Sequence, residues 1–462
     1  MQNLTRPYRA LVCTIACLLA CSAAIGSLPA RAEDLPQIKM PPQRPLGQDL
    51  PVYQSEMKLP ELPELQDELN LQQARGLVLL YNPAFQSLAW EIRARQAALL
   101  QAGLAPNPSV DLTSEDAFSS NIFAGESFPE LILTLSQPLL LGDKLGKQQT
   151  VARLNAELAG WDFERQRLEV LSEVTQRYID VVQDQDSVAL TLELQQVSEE
   201  TLRVIQAEVD AGKVSPLEVT RAQVVLANSR LDVEEAQLAL EQAREELASL
   251  WGGGGSDFER AAGKLELKDV KLPAFEPLLA ALQQHPDIAR WDTEFAQRQA
   301  SLEFEESLAI PDLAVAGGLQ RHTDSGDVGV NIGLSLPLPI WNRNQGNIAF
   351  ASLRQQKAVE ERERSLFSLR ASLRGAYQRL RRAHGRLEML QKSILPQAEE
   401  AFLGIRKGYQ EGKFDYLDAL EAQRNFFEAR AQAVTALGDF YRALSEVEFL
   451  TGLDLAAQAS TP

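Results

Sequence analysis

The chain has 462 residues, 24% of them charged and only 6% aromatic, with a formal net charge of −19. The excess of acid argues against a nucleic-acid partner, and the abundance of Ala, Leu, Gln, Glu and Arg is that of long helices and coiled coils. All three cysteines, Cys13, Cys17 and Cys21, lie near the N-terminus, so disulfides and thiolate metal sites are excluded from the rest of the chain.

Residues 1–32 read as an export signal. Arg6 and Arg9 precede an apolar run over 10–25, and Ala30, Arg31 and Ala32 offer a small-x-small cleavage site. The run Leu18, Leu19, Ala20, Cys21 competes as a lipoprotein-type site with Cys21 as the lipidated residue. No later stretch is long and apolar enough for a transmembrane helix. An exported chain of this kind stays soluble or enters a membrane as β-structure. Residues 33–68 are Pro-rich and read as an extended arm.

Two similar units follow, 69–253 and 275–453, joined by a linker over 254–274 and followed by a tail over 454–462. Aligned without gaps, residues 212–252 and 412–452 share eleven identities, among them Gly212/Gly412, Lys213/Lys413, Leu217/Leu417 and Gly252/Gly452. Chance would give roughly two or three, so the second unit is a duplicate of the first. Each unit reads helix, strand pair, very long helix, tight turn, helix. The leading helices break at Asn82-Pro83 and His285-Pro286.

The strand pairs fall at about 108–140 and 311–340. In the second, Val328, Val330, Ile332, Leu334 and Leu336 alternate with Gly329, Asn331, Gly333 and Ser335. Leu131, Leu133 and Leu135, and Val110 and Leu112, show the same period in the first. Such alternation suits a strand between lipid and a wet lumen, and equally a half-buried soluble hairpin.

From 143 to 209 no proline interrupts, which predicts a rod on the order of 100 Å long. From 344 to 409 only Pro396 interrupts. A 3-4 seam runs through Leu366, Leu369, Leu373, Ala376, Leu380, Ala383, Leu387, Leu390 and Ile394, and a weaker one through Leu171, Val174, Tyr178, Val181, Val188 and Leu192. Helices this long cannot be covered by one chain, so self-association is expected. Both rods end in tight turns at 211–217 and 411–417. Ser215 with Pro216 and Glu218 predicts a capping box in the first, and Asp415 with Asp418 caps the second. Capping alone accounts for those residue types; twin turns at rod ends also suit docking.

Catalytic chemistry is missing from the pattern. His285, His322 and His384 are scattered, the four methionines make no thioether site, and the glycines at 252–255 lack the Lys-Ser/Thr of a phosphate loop. No cofactor, bound metal or enzymatic activity is expected.

The run LPLPIWNRNQGNI at 336–348, the run GYQEGKFDYLDALEAQ at 408–423, and Asn82-Pro83 followed by QAGLAPNP at 101–108 resemble the TolC-like outer-membrane factors, in particular the Czc-type heavy-metal efflux branch. The resemblance spans residues 69–453. It implies a mainly α protein with a membrane β-barrel: a homotrimer with a periplasmic α-barrel and a twelve-stranded β-barrel, four strands from each chain. It implies an outer-membrane channel of a tripartite efflux system, meeting a periplasmic adaptor and an inner-membrane pump of the resistance-nodulation-division type, with heavy-metal cations as cargo. By the same resemblance Asp418 and Glu421 form an acidic lumen gate. The tips that dock the adaptor comprise Gly212, Lys213, Ser215, Pro216, Leu217, Gly412, Lys413, Asp415, Tyr416 and Leu417. The strand face of Val328, Val330, Ile332, Leu334 and Leu336 meets outer-membrane lipid. The same duct serving organic compounds or protein secretion, and a soluble periplasmic coiled-coil scaffold, are the other readings. A periplasmic adaptor fits less well, since two equal copies are present.

Overall fold

The computed structural model describes residues 68–115, 130–253, 258–265, 272–322, 326–453 and 455. The leader with Cys21, residues 33–67 of the arm and the end of the tail lie outside them. In chain order the elements are β1 (Glu68–Leu69), α1 (Leu71–Tyr81), α2 (Pro83–Ala102), β2 (Ser109–Glu115), β3 (Glu130–Leu139), α3 (Lys144–Asp210), α4 (Pro216–Ser249) and β4 (Arg260–Ala261). Then come α5 (Phe275–Ala281), a 3-10 turn (Leu282–Gln284), α6 (Pro286–Leu308), β5 (Leu313–His322), β6 (Val328–Ser335), α7 (Gln345–Met389), a π turn (Leu390–Ile394), α8 (Leu395–Gln410) and α9 (Tyr416–Thr451).

The leading helices break where their prolines and caps require. Asn82 accepts the Ala84 N–H with Pro83 at the first helical position, and His285 accepts the Asp287 N–H through Nδ1 with Pro286 in the same place. The long α3, 67 residues, spans about 100 Å. It packs on α2 and α6 in its first half and on α4 and α9 beyond. Against α7 lie α6 and then α9, so the two units share one layered arrangement.

Unusual backbone conformations recur at the same offset. Asp143 (φ 56°) and Asn344 (φ 59°) are the non-glycine residues with positive φ among the described residues, and both stand where strand turns into helix. The Asn344 amide fixes its corner by donating to the Glu305 carbonyl (2.7 Å); at the other corner buried Lys144 pairs with Asp312 (2.5 Å).

Two apolar cores lie midway along the rods. Leu69, Phe85, Val174, Leu247, Trp251 and Phe258 build the first, and Leu278, Leu282, Leu373, Leu380, Phe440 and Val447 the second. In each, a tyrosine fastens the start of its unit. The Tyr178 hydroxyl lies 3.0 Å from the Leu69 carbonyl and 2.6 Å from that of Ala262, and Tyr377 donates to Pro273 (2.9 Å). Burial pushes the Tyr178 hydroxyl up to about 12, so it stays a donor.

The strands form one antiparallel sheet in the order β2-β3-β5-β6. Directly opposed residues in such a sheet point to the same side. Val110 opposes Leu135, Leu112 opposes Leu133, Leu133 opposes Leu319, and Leu319 opposes Val330. Val315 opposes Leu334 and Gly317 opposes Ile332, so one face is mainly apolar across all four strands, with Ser114, Gln137 and Arg321 toward the strand ends. The other face carries Asp111, Thr113, Thr134, Ser136, Gly318, Asn331 and Ser335.

Four expectations need correction. Leu336 lies past the end of β6, because Pro337 and Pro339 cannot extend the ladder. The second long helix is not continuous up to Pro396. Proline lacks the N–H that would reach Lys392, and the turn before it widens to π geometry. The first seam fades, since Val188 is only partly buried and Leu192 is exposed. No capping box forms at Ser215: its hydroxyl accepts the Leu217 N–H (3.3 Å), and Glu218 turns instead to Arg221 (2.9 Å).

Candidate functional site: paired helical tips and an apolar sheet face

Each rod ends in the same hydrogen-bonded turn. The N–H of Gly212 donates to Val209 and that of Lys213 to Glu208, both at 2.9 Å. Gly412 donates to Tyr409 (2.9 Å) and Lys413 to Gly408 (2.8 Å). Gly212 (φ 71°) and Gly412 (φ 76°) supply the left-handed residue that this Schellman turn needs. Asp415 and Asp418 complete a reciprocal box: Asp415 Oδ1 accepts the Asp418 N–H (2.9 Å), and Asp418 Oδ2 accepts the Asp415 N–H (3.2 Å). The Asp418 carboxylate therefore has a capping task in the single chain. Glu421, one turn further, is exposed.

The two tips lie side by side. The Tyr409 hydroxyl donates to the Glu208 carboxylate (2.5 Å), and Arg406 pairs with Glu200 (3.1 Å) a turn above. Between the tips opens a cleft of about 580 Å³, lined among others by Glu208, Lys213, Glu218, Tyr409, Phe414 and Tyr416. Tyr416 is buried, with its ring 6.4 Å from that of Tyr409, so its side chain is a wall of the cleft and not an outer docking surface. Burial, then the Glu218 carboxylate, raises the Tyr416 pKa; burial, then the bond to Glu208, raises that of Tyr409. Leu217, Phe414 and Leu417 stand exposed around the rim, as do Lys213, Ser215, Pro216, Lys413 and Asp415.

Sequence reasoning missed Glu208 and Tyr409. The available signal was asymmetry: the duplicate positions hold Gly408 and Val209, so this link belongs to the places where the two copies differ.

Among the described residues nothing covers the sheet's apolar face. Val330 is 66% exposed, Ile332 82% and Leu334 71%. Among the described residues no helix is long and apolar enough to cross a membrane, and no group of three or more His, Cys, Asp or Glu is placed to hold a metal ion.

Long helical hairpins carrying a four-stranded sheet define the fold of the TolC-like outer-membrane channels, and solved structures agree. A CusC structure superposes with a TM-score of 0.67 at 18% identity, covering 89% of this chain and 98% of that one. The CmeC outer-membrane channel of Campylobacter jejuni gives 0.67 at 19%, covering 84% and 88%. The chain belongs to the outer membrane efflux protein family, whose profile matches residues 74–253 and 278–453. Among its relatives, the cobalt-zinc-cadmium resistance protein CzcC of Cupriavidus metallidurans is 31% identical over 83% of this chain and 90% of its own length. The nickel-cobalt-cadmium resistance protein NccC of Alcaligenes xylosoxydans is 23% identical over 58% of this chain and 60% of its own. The protein is thus an outer-membrane efflux channel protein, with its helical part in the periplasm.

Proposed function

We propose that the chain forms, as a homotrimer, the passive exit duct of a tripartite heavy-metal efflux system. Its cargo is a divalent cation of the cobalt, zinc or cadmium type, delivered through a periplasmic adaptor from an inner-membrane pump of the resistance-nodulation-division class. The likeness to CzcC over most of both chains supports the cargo. The duct itself rests on the sheet, whose apolar face is exposed and whose outer strands β2 and β6 have no further strand paired to them among the described residues. A bilayer tolerates no open sheet edge. Three copies, each giving four strands, close twelve into a barrel when β6 of one meets β2 of the next. The helical layer has a matching need. On α4, Val224, Leu231 and Leu238 repeat every seven residues and are each more than half exposed, which suits packing on a second copy.

In this reading residues 69–253 and 275–453 are the two repeats, 1–32 is the leader, and the rims of the two tips meet the adaptor. Asp418 and Glu421 face the axis at the narrow end. The duct transports without covalent chemistry. Deleting the gene should sensitise cells to cobalt, zinc or cadmium salts and leave tolerance to organic toxicants unchanged, with the wild-type gene restoring resistance. Sensitivity to organic compounds alone would move the cargo to the organic class and leave the duct standing.

A further inference from the structure

Between β6 and α7 the chain passes through residues 336–344, and this segment bears an apolar ledge that the tips and the strand face do not account for. Trp341 is 86% exposed, Leu338 72% and Ile340 57%. Trp341 is more open than the other exposed tryptophan, Trp90 (59%), which Arg93 covers at 4.7 Å, while Trp251 is buried in the first core and Trp161 donates to Thr293 (3.0 Å).

The exposure does not come from a slack loop. Pro337 and Pro339 fix φ. The Ile340 N–H donates to Leu338 (2.9 Å), the Gln345 amide to the Trp341 carbonyl (3.1 Å), and Arg343 Nε to the Pro339 carbonyl (3.1 Å). Asn344 then anchors the segment to α6 through Glu305. The backbone is held, and the Trp341 ring is presented outward.

The ledge continues the apolar face of β6 at the end of the sheet that joins the helices, which in an outer-membrane protein with periplasmic helices is the periplasmic end. Tryptophan concentrates at the border between headgroups and acyl chains, where its ring is buried and its N–H stays wet. Arg343, exposed beside it, adds a cation suited to a phosphate. We propose that Trp341, with Leu338, Ile340 and Arg343, is a phospholipid-binding anchor that fixes the depth of the sheet in the periplasmic leaflet. The proposal rests on insertion of the sheet into the outer membrane.

The test uses the full chain in phospholipid nanodiscs, with lipid brominated either near the headgroup or near the end of the acyl chain. The Trp341 signal is the difference between wild type and Trp341→Phe, which keeps an aromatic ring and should still assemble. Quenching of that signal by the shallow label, and its loss in Trp341→Phe, is the expected result. A Trp341 signal untouched by both labels, in protein that inserts and migrates as a heat-modifiable species, overturns the anchor alone; the ledge is then covered by a second copy. Failure of the wild-type chain to insert overturns the anchor together with the duct.

Discussion

Two side chains of the rods carry measurable consequences on their own. Asp184 on α3 has its pKa raised, first by burial and then by the neighbouring Asp180 carboxylate, with Arg442 opposing. A carboxyl whose folded pKa is raised binds its proton more tightly in the folded chain. It therefore costs stability above that pKa, and the cost fades as pH falls through the folded value to the unfolded one. Asp184→Asn should raise the melting temperature at neutral pH, and the gain should vanish below the ordinary carboxylate range. A gain that is the same at both pH values would show that the charge is not its source. At the tips, Tyr409→Phe removes the hydroxyl that ties the second hairpin to Glu208 of the first. A hydrogen bond to a charged group contributes about 1.5–3 kcal/mol. Amide exchange at 205–212 and 408–416 should then speed up by about tenfold or more, while the cores at Leu373 and Val174 stay protected. Equal speeding at the cores would mean that the bond supports the whole fold and not the tip.

Among the elements, the sheet gives the sharpest test of which face meets lipid. Ile332 and Leu334 lie on the apolar face, Asn331 and Ser335 on the other. A cation at mid-bilayer on a lipid face costs about 2–4 kcal/mol. Ile332→Arg and Leu334→Arg should each reduce recovery of heat-modifiable protein from the outer membrane, and Asn331→Arg should be milder. Equal losses from both faces would undo the assignment. Alternation at period two was legible in the sequence because each side chain's face is a local property. The strand order was not, since pairing β3 with β5 joins residues about 180 apart with no local trace. Both Schellman turns were legible because glycine answers a backbone demand. The failed box at Ser215 was not: Arg221 lies in reach of Glu218 and competes for the carboxylate, which no cap rule counts. The π turn before Pro396 belongs between these cases. Proline announced a defect, but whether the helix would break or widen depended on Leu387 and Leu390 staying in the second core.

At the scale of the assembled molecule, the proposed trimer puts the acids beyond the second tip at the entrance. Asp418 and Glu421 lie three apart at the start of α9 and share one helical face. The first tip holds Glu218 and Arg221 at the matching positions, already paired with each other, so at these two positions only the second tip carries charge of one sign. In a trimer the two acids become six carboxylates around one axis. On the proposed trimer their mutual repulsion would be relieved by a multivalent cation, and the mouth would then select for cations and be open to block by them. The capping bond from Asp415 to Asp418 complicates the simplest test, because losing the cap would disturb the tip as well as its charge. Asp418→Asn keeps an oxygen acceptor for that N–H and removes only the charge. Paired with Glu421→Gln, it should weaken block by a trivalent cation added from the tip side and lower cation selectivity in planar bilayers, with trimer yield unchanged. Each single substitution should give part of the effect, since the same axis collects both rings. Unchanged block and selectivity in the double variant would leave Asp418 a capping residue and Glu421 a solvated one. The entrance would then owe its selectivity to the cleft between the tips, where Glu208 and Glu218 are the remaining carboxylates to test.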